Sequence, residues 1–462
     1  MSGTAPVQPS SAQGTTAQGA TAQGVPAQDI EEQTIGIFLR RMMPLLGLMY
    51  LIAYVDRQNV SFAKLQMLDN LGMTEAAYGL GASLFFIGYF LFEVPSNLIL
   101  GRVGARRWFA RIMVTWGLVT TALAYTTGPV MFYVLRFLLG ACEAGFFPGV
   151  LYLLTVWVPF GHRARMVGWF MIASVVANAV GAPICGSLLD LDGALGLRGW
   201  QWVFLATGVP AVLMGVVTWF ALPDGPETAG FLNPAQRTWL RDTIAAEDQA
   251  GGKVAHANPL KALADGRVLL LAFTFIGFPL AAYGLSYWLP TVVKGFGVSN
   301  TVNGFINVLP WLLAGVALWW LPRHSERVGE KTWHIVLPVA LGAACLVGSV
   351  MVSGAAAADN ALRFALLCVA AACIFSAQPI FWTLPSSFLR GSSAAAGLAV
   401  INATGNLGGF VAQNVVPWIK DRTGSTLAPM LFLAGCLAFA GLMIFVVQGL
   451  LGRTSRAAVP AE

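Results

Sequence analysis

The chain has 462 residues, of which 57% are hydrophobic and 10% charged, and its mean hydropathy is +0.70. Soluble globular proteins carry roughly 25% charged residues, so this composition excludes a soluble protein. A net charge of +6 would suggest nucleic acid in a soluble protein, but here the basic residues flank apolar runs. The chain is therefore predicted to be an all-α polytopic protein of the lipid bilayer, with no nucleic-acid partner.

Residues 1–35 are rich in Ala, Gln, Gly and Thr, and the triplet AQG recurs three times. This segment has neither an apolar run nor the basic start of a signal peptide. It cannot bury enough apolar surface to order itself, and we predict a disordered cytoplasmic tail.

Twelve apolar runs of about 20 residues or more follow, each long enough to span a bilayer. The predicted spans are 42–62, 78–100, 108–126, 129–158, 165–189, 200–221, 266–293, 302–321, 334–353, 362–389, 394–418 and 426–450. An even number of spans places both termini on one side, and Lys and Arg are in excess in the loops on that side. We therefore expect a multi-pass protein of the plasma (inner) membrane with both termini in the cytoplasm.

The first span contains adjacent charges in the stretch YVDRQN. Asp56 and Arg57 lie about 100° apart around a helix, so they can point to different partners while lining one broad cavity. Alternatively, both are solvated at the outer membrane interface, with the long side chain snorkelling to water. The position within the apolar run leaves both interpretations open.

The second span ends in FEVPSN and is followed by a strongly basic loop. Pro95 removes a backbone hydrogen bond and allows a bend. Glu93 lies near the cytoplasmic end of this span, and we interpret it as a structural partner for the loop arginines rather than a substrate ligand.

The fourth span carries an arginine and a glutamate, each of which costs about 2.5–3.5 kcal/mol at membrane depth. Arg136 and Glu143 are seven residues apart, so they leave the same helix face about 10 Å from each other along the axis. That separation is too long for pairing within one helix, and both must contact other helices or water. They form either a functional site or two separately neutralised structural charges. Small residues on the opposite face predict close helix packing there, namely Ala141, Gly145 and Gly149.

Two sequence patterns recur in the two halves of the chain. Arg102-Val-Gly104 returns as Arg327-Val-Gly329, and the Gly and Asn residues of the fifth predicted span return in the eleventh. Two parallel six-span halves are therefore predicted at 36–221 and 266–452, with a binding site between them. Residues 222–265 form a cytoplasmic linker in which Asn233-Pro234 begins a short helix, and 453–462 form a cytoplasmic tail.

Between Gly266 and Leu450 the predicted span interiors contain no acidic or basic residue. They carry neutral hydrogen-bonding and aromatic side chains, which suit the organic body of a ligand. Alternatively, each Tyr or Trp belongs to an interfacial aromatic belt. The candidate ligand residues in this half are Tyr283, Tyr287, Gln378, Trp382, Asn402 and Asn406, and we add Tyr54 and Tyr89 from the first two spans.

The six cysteines lie within predicted spans, form no CxxC pair and do not cluster with the four histidines. A disulfide framework, a metal site and a cofactor are therefore not expected. The sequence also contains no pattern of a nucleophile with its base and no phosphate-binding loop, which argues against an enzyme.

The two basic loops resemble those of the major facilitator superfamily, whose loop after the second span reads G-x-x-x-D-R-x-G-R-R. Asn97 and Gly101 replace the leading Gly and the Asp here, whereas Arg102, Gly104 and Arg106 match. The second copy matches at Glu326, Arg327 and Gly329, and we interpret both copies as gating loops. The resemblance covers about residues 36–452 and implies the twelve-helix fold of that superfamily.

Within the superfamily, YVDRQN, FEVPSN, ARRW, the Arg136/Glu143 span and SAAAGLAVINATGNLGGF are together similar to the anion:cation symporter family. That resemblance implies proton-coupled uptake of organic anions such as tartrate, sugar acids or phthalate. It implies that Arg57 and Arg136 meet the substrate carboxylate and that Glu143 and Asp56 handle protons. An exporter or antiporter of the same fold is the alternative, because GAPICG in the fifth span partly matches a signature of drug/proton antiporters. We expect a monomer whose partners are a small organic anion and protons.

Overall fold

The computed structural model describes residues 27–250, 265–352, 354, 356–385 and 392–457. These residues fold into α-helices joined by short loops and two 3-10 turns, with no β-strand among them, which confirms the all-α prediction. The helices are α1 (Ala27–Leu71), α2 (Glu75–Val103), α3 (Ala105–Leu123), α4 (Pro129–Glu143), α5 (Phe146–Trp157), α6 (Phe160–Leu189), α7 (Gly199–Ala221), α8 (Pro234–Ala250), α9 (Gly266–Lys294), α10 (Asn300–Ile306), α11 (Val308–Val328), α12 (Thr332–Met351), α13 (Ala357–Phe381), α14 (Ser392–Thr423) and α15 (Leu427–Ala457).

Among the described residues, ten helical segments are long and apolar enough to cross a membrane. Two of these segments each contain two helices that are separated by a short break, α4 with α5 and α10 with α11. The third and eleventh predicted spans correspond to α3 and α14, whose arginines and amides make them less apolar.

The helices pack in two groups that follow the order of the chain. In the first group α1 packs on α6, α2 on α4, and α3 on α7; in the second, α9 packs on α14, α11 on α13, and α12 on α15. The groups meet where α2 contacts α14, where α6 contacts α10 and α11, and where α1 contacts α9. We call the end of the bundle that carries loops 72–74, 190–198 and 295–299 the first-loop end.

Glycines bring the two halves into direct backbone contact near the first-loop end. A Cβ on Gly304 would lie 2.5 Å from the carbonyl oxygen of Ala182, and one on Gly79 would lie 2.3 Å from that of Gln413. No side chain fits at either distance without a shift of the helices, so glycine is what permits this approach.

The predicted disordered tail is too long. Helix α1 begins at Ala27, because Ile30 and Ile35 are buried and the Thr34 hydroxyl donates a 2.6 Å hydrogen bond to the Ile30 carbonyl. This packing stabilises nine residues that were assigned to the tail, and the rest of the tail lies outside the described residues.

The predicted span over 129–158 is found as one membrane-spanning segment, Pro129–Trp157, but its helix is not continuous. It is two helices, α4 and α5, separated at Ala144 and Gly145. Gly145 has a φ of +87°, a left-handed conformation that side chains other than glycine rarely adopt. A Cβ there would lie 2.3 Å from the Ser96 hydroxyl oxygen, so the break accompanies a close approach of α2.

In the linker, α8 begins at Pro234 as predicted. The Asn233 side chain accepts a 2.8 Å hydrogen bond from the backbone N–H of Gln236, which is the interaction expected of a capping asparagine.

Candidate functional site

An ion pair between α1 and α4 lies at the centre of the first half. Nη2 of Arg57 is 2.6 Å from Oε1 of Glu143, and Nε donates to the same oxygen at 2.8 Å. Glu143 is fully buried, and its Oε2 has no hydrogen-bond partner among the described residues. Glu143 is also the last residue of α4, where the helix dipole disfavours a negative charge. Arg57 therefore supplies most of the compensation for this carboxylate.

Aromatic rings surround the Arg57 guanidinium. Its Cζ lies 5.3 Å from the ring centre of Tyr54, 5.8 Å from that of Phe85 and 5.5 Å from that of Tyr89. Tyr283, from the second half, also faces Arg57. These rings favour a cation through their quadrupoles, and the side chain of Arg57 keeps 19% of its surface exposed.

Arg136 lies on the other side of Phe85. Its Cζ is 5.1 Å from the Phe85 ring centre, and its Nη2 donates a 3.0 Å hydrogen bond to the Ala82 carbonyl. It is 3% exposed, and its Nε has no partner among the described residues. A guanidinium offers five N–H donors, so Arg136 has donors to spare in a buried site.

Asp56 points away from this pair, into the packing between α1, α3 and α7. It is 1% exposed and accepts hydrogen bonds from Asn59 at 2.9 Å and from the Thr120 hydroxyl at 3.1 Å. Asn59 also donates to the Thr207 hydroxyl at 3.0 Å. The solvated interfacial position considered for Asp56 is therefore wrong, because its carboxylate is buried and hydrogen-bonded.

The candidate residues of the second half occupy different environments. The Tyr283 ring lies 4.8 Å from that of Phe86 across the boundary between the halves. Tyr287 is fully buried, and its hydroxyl has no partner among the described residues. Trp382 packs edge-on against Phe275 at 4.7 Å. Complete burial excludes Tyr287 from an interfacial aromatic belt. Gln378, Asn402 and Asn406 are partly exposed within the second half.

Both predicted gating loops turn at a glycine with positive φ, +91° at Gly104 and +72° at Gly329. In the first loop Arg102 is exposed, and Nη2 of Arg106 pairs with Oδ2 of Asp224 at 2.7 Å. The exposed residues of the second loop are Glu326 and Arg327.

Glu93 does not pair with the loop arginines as predicted. It is 9% exposed, and its Oε2 has no partner among the described residues. Its carboxylate interacts electrostatically with Arg57, whereas Asp224 pairs with Arg106, the position at which a loop partner was expected.

A second charge cluster, at the first-loop end, was missed by the sequence analysis. Oε2 of Glu75 is 2.6 Å from Nζ of Lys64, and its Oε1 is 3.0 Å from Nζ of Lys420 in the second half. The two ammonium groups lie 3.7 and 4.6 Å from the ring centre of Trp288. We call these four residues the first-loop lock.

Lys64 is a further basic residue inside a membrane-spanning helix, and the predicted first span, 42–62, stops short of it. Lys64 is 1% exposed within α1, which continues well past the predicted end of the first span. Its position seven residues after Arg57, and so on the same helix face, was the available signal.

Comparison with known proteins gives one consistent family. The model of the Major Facilitator Superfamily matches residues 46–413. The chain is 44% identical to a quinolone resistance transporter of Acinetobacter baumannii, over 92% of this chain and 96% of that protein. It is also 44% identical to a putative tartrate transporter of Agrobacterium vitis, over 88% and 93% of the two chains.

Among solved structures, the crystal structure of a D-xylose-proton symporter matches with a TM-score of 0.70 at 15% identity. The match covers 88% of this chain and 97% of that one, and it shows a shared fold.

Proposed function

The chain belongs to the Major Facilitator Superfamily and is a multi-pass membrane transporter rather than an enzyme, and from this premise we propose that it imports a small organic anion together with protons. One observation carries the proposal: two guanidiniums, that of the partly exposed Arg57 and that of the buried Arg136, flank Phe85 beside a single paired carboxylate. A carboxylate substrate supplies the two acceptor oxygens that a guanidinium fork binds best.

The ion pair suggests how substrate and proton binding are linked. Glu143 holds Arg57 through a single oxygen while it is ionised. A proton on Glu143 removes that attraction and frees Arg57 for the carboxylate of a substrate. Proton and anion then favour each other's binding, and thermodynamic linkage requires that each raises the affinity of the other by the same factor.

The partly exposed side chains of the second half would contact the rest of the substrate. Tyr283 already faces Arg57, and Gln378, Trp382, Asn402 and Asn406 offer hydrogen bonds and a ring face. These groups are neutral, so they would select the body and hydroxyls of the anion while the first half binds its charge.

The contacts between the halves support alternating access. We propose that the protein lies in the plasma membrane with both termini in the cytoplasm. The first-loop end then faces outward. Its glycine contacts and the first-loop lock correspond to a transporter that is closed to the outside. Uptake requires that these contacts open and that the opposite end closes around the same site. We propose that a monomer performs this cycle.

The experiment is uptake of radiolabelled tartrate into proteoliposomes that contain the purified protein. An inward proton gradient should drive accumulation, and an ionophore that dissipates the gradient should abolish it. Tartrate exchange without any gradient response would contradict proton coupling while leaving organic-anion transport in place.

Export is the second candidate, and the quinolone resistance transporter of Acinetobacter baumannii favours it. The same vesicles should be tested with a labelled fluoroquinolone and the opposite gradient. Gradient-driven movement of the fluoroquinolone, with no tartrate transport, would replace the import proposal.

A further inference from the structure

A cavity lies at the first-loop end, inside the second half and apart from Arg57 and Arg136. Its volume is about 360 Å³. It is lined by residues of α9, α12, α13, α14 and α15. The polar side chains that line it include Trp288, Thr291, Ser349, Arg363 and Lys420.

The lining is basic and rich in hydrogen-bond donors, and no acidic side chain occurs among the described residues that line it. Trp288 is 4% exposed, and its indole Nε1 has no partner among the described residues. The buried hydroxyl of Thr291 is likewise unpartnered in this part of the structure. Leaving such donors without an acceptor is costly in a buried site, and a small side-chain rearrangement at the cavity wall would bring them to a bound anion.

The two cations differ in how firmly they are held. Arg363 donates to the carbonyls of Val352 at 2.8 Å and Gly354 at 2.7 Å, so it is fixed at the wall and lends mainly its charge. Lys420 has a flexible side chain whose Nζ pairs with Glu75 of the first half. Lys420 therefore belongs both to the cavity and to the first-loop lock.

From this arrangement we propose that the cavity binds a small anion, a halide or a carboxylate, through Lys420, Thr291 and the indole N–H of Trp288. An anion bound in the cavity and the Glu75 carboxylate compete for the ammonium group of Lys420. Binding of the anion therefore weakens the attraction between Lys420 and Glu75 and favours opening of the first-loop end. This site is separate from the proposed substrate site and does not depend on the transport function proposed above.

The test uses the purified full-length protein and measures its thermal unfolding midpoint against chloride concentration at constant ionic strength, with tartrate in a parallel titration. Each anion that binds raises the midpoint according to its occupancy. Loss of one charge-assisted hydrogen bond corresponds to an affinity change of about tenfold or more. Lys420→Met should therefore need at least about ten times more anion for the same shift.

Arg422→Met is the matched control, because Arg422 lies on the last turn of the same helix, is exposed and stacks on Trp418. Its titration should match that of the wild type. Thr291→Val leaves the lock intact and should weaken binding several-fold, which separates the cavity from any damage that Lys420→Met causes. Glu75→Gln removes the competing acid and should strengthen binding.

A chloride response that both cavity variants weaken identifies a cavity site for inorganic anions, and a tartrate response that both weaken identifies one that collects substrate. Either supports the proposal if Lys420→Met and Thr291→Val weaken it. Titrations that are equal in the wild type and in both variants would overturn it, as would a wild type that responds to neither anion. Weaker binding in Glu75→Gln would overturn the coupling to the lock.

Discussion

For single residues, the charged side chains of the candidate site differ in how completely they are hydrogen-bonded. Glu143 is held by two hydrogen bonds from one arginine, whereas Arg136 has one hydrogen bond to a carbonyl and an Nε with no partner among the described residues. A charge that is buried and incompletely paired is costly to keep. Arg136 is therefore the residue from which a bound carboxylate would gain most.

Arg136→Lys keeps the charge but loses the planar fork, so we expect substrate affinity to fall about tenfold or more. The measurement is the concentration of tartrate that half-saturates exchange in proteoliposomes. Arg111→Lys is the control, since Arg111 is half-buried and stacks on Trp108. Unchanged affinity in Arg136→Lys would argue against direct contact with substrate.

Glu143→Gln mimics the protonated acid and releases Arg57 permanently. We expect this variant to bind and exchange substrate but to lose accumulation driven by a proton gradient. The comparison is Asp56→Asn, whose carboxylate lies in a separate hydrogen-bonded cluster. If Glu143→Gln still concentrates substrate with an unchanged pH dependence, Asp56 becomes the candidate for coupling.

At the scale of elements, the break between α4 and α5 positions the acid of the site. Helix α4 ends at Glu143, and the chain turns at Gly145 before α5 begins. Because the turn needs a left-handed residue without a side chain, the geometry of the ion pair depends on a glycine that contacts neither charge.

Gly145→Leu should destabilise the protein by a few kcal/mol, because a strained φ is added to a clash with Ser96. Thermal unfolding and size-exclusion chromatography in detergent provide the measurement. Gly168→Leu is the matched control, since a Cβ at Gly168 in α6 meets no atom within 4 Å. Normal expression and transport in Gly145→Leu would mean that the turn is not needed.

At the scale of the whole molecule, the first-loop end joins the halves by backbone contact, by the lock and by Asp190. The Asp190 carboxylate accepts hydrogen bonds from Asn300 and from the backbone and hydroxyl of Thr301, at 2.7–2.8 Å. Closure therefore depends on several weak contacts, which suits an interface that opens in the proposed transport cycle.

Gly304→Val should disfavour the closed first-loop end, because its side chain would clash with the Ala182 carbonyl. Overpacking of this kind costs about 1–3 kcal/mol, which corresponds to a shift of about 5- to 150-fold in the equilibrium. The measurement uses a protein whose native cysteines are replaced and which carries Ser61→Cys at a buried position in the interior of α1. The quantity measured is the rate at which an impermeant thiol reagent alkylates this cysteine. Gly435→Val, where a Cβ meets nothing within 4 Å, should leave the alkylation rate unchanged.

Asp190 gives the closed end a dependence on pH. Partial burial raises the pKa of its carboxyl, but the hydrogen bonds from Thr301 and Asn300 outweigh burial and lower the pKa below its usual value. Because the folded pKa is lowered, the stabilisation is present at neutral pH and is lost as the pH falls through that value, below about 4. In a double-mutant cycle of Asp190→Asn and Thr301→Val, measured by thermal unfolding, the coupling should disappear with acidification. A coupling that is constant down to pH 3.5 would contradict this assignment.

The membrane class, the helical fold and the charged residues of the candidate site can all be predicted from the amino-acid sequence. Apolar runs of fixed length leave helices as the only economical way to satisfy the backbone in lipid. The seven-residue spacing of Arg136 and Glu143 also showed that each must contact another helix, because geometry within one helix is set by 3.6 residues per turn.

The pairing of the charges, in contrast, is visible only in the folded bundle. Arg57 pairs with Glu143 across 86 positions, and Lys420 pairs with Glu75 across 345. Such pairs depend on helix rotation, tilt and order around the bundle, and none of these is encoded in local periodicity. The same reason explains why Asp56, adjacent to Arg57 in sequence, has its partners on α1 and α3 whereas Arg57 pairs with α4. It also explains why the pairing of Lys64 with Glu75 does not follow from the sequence.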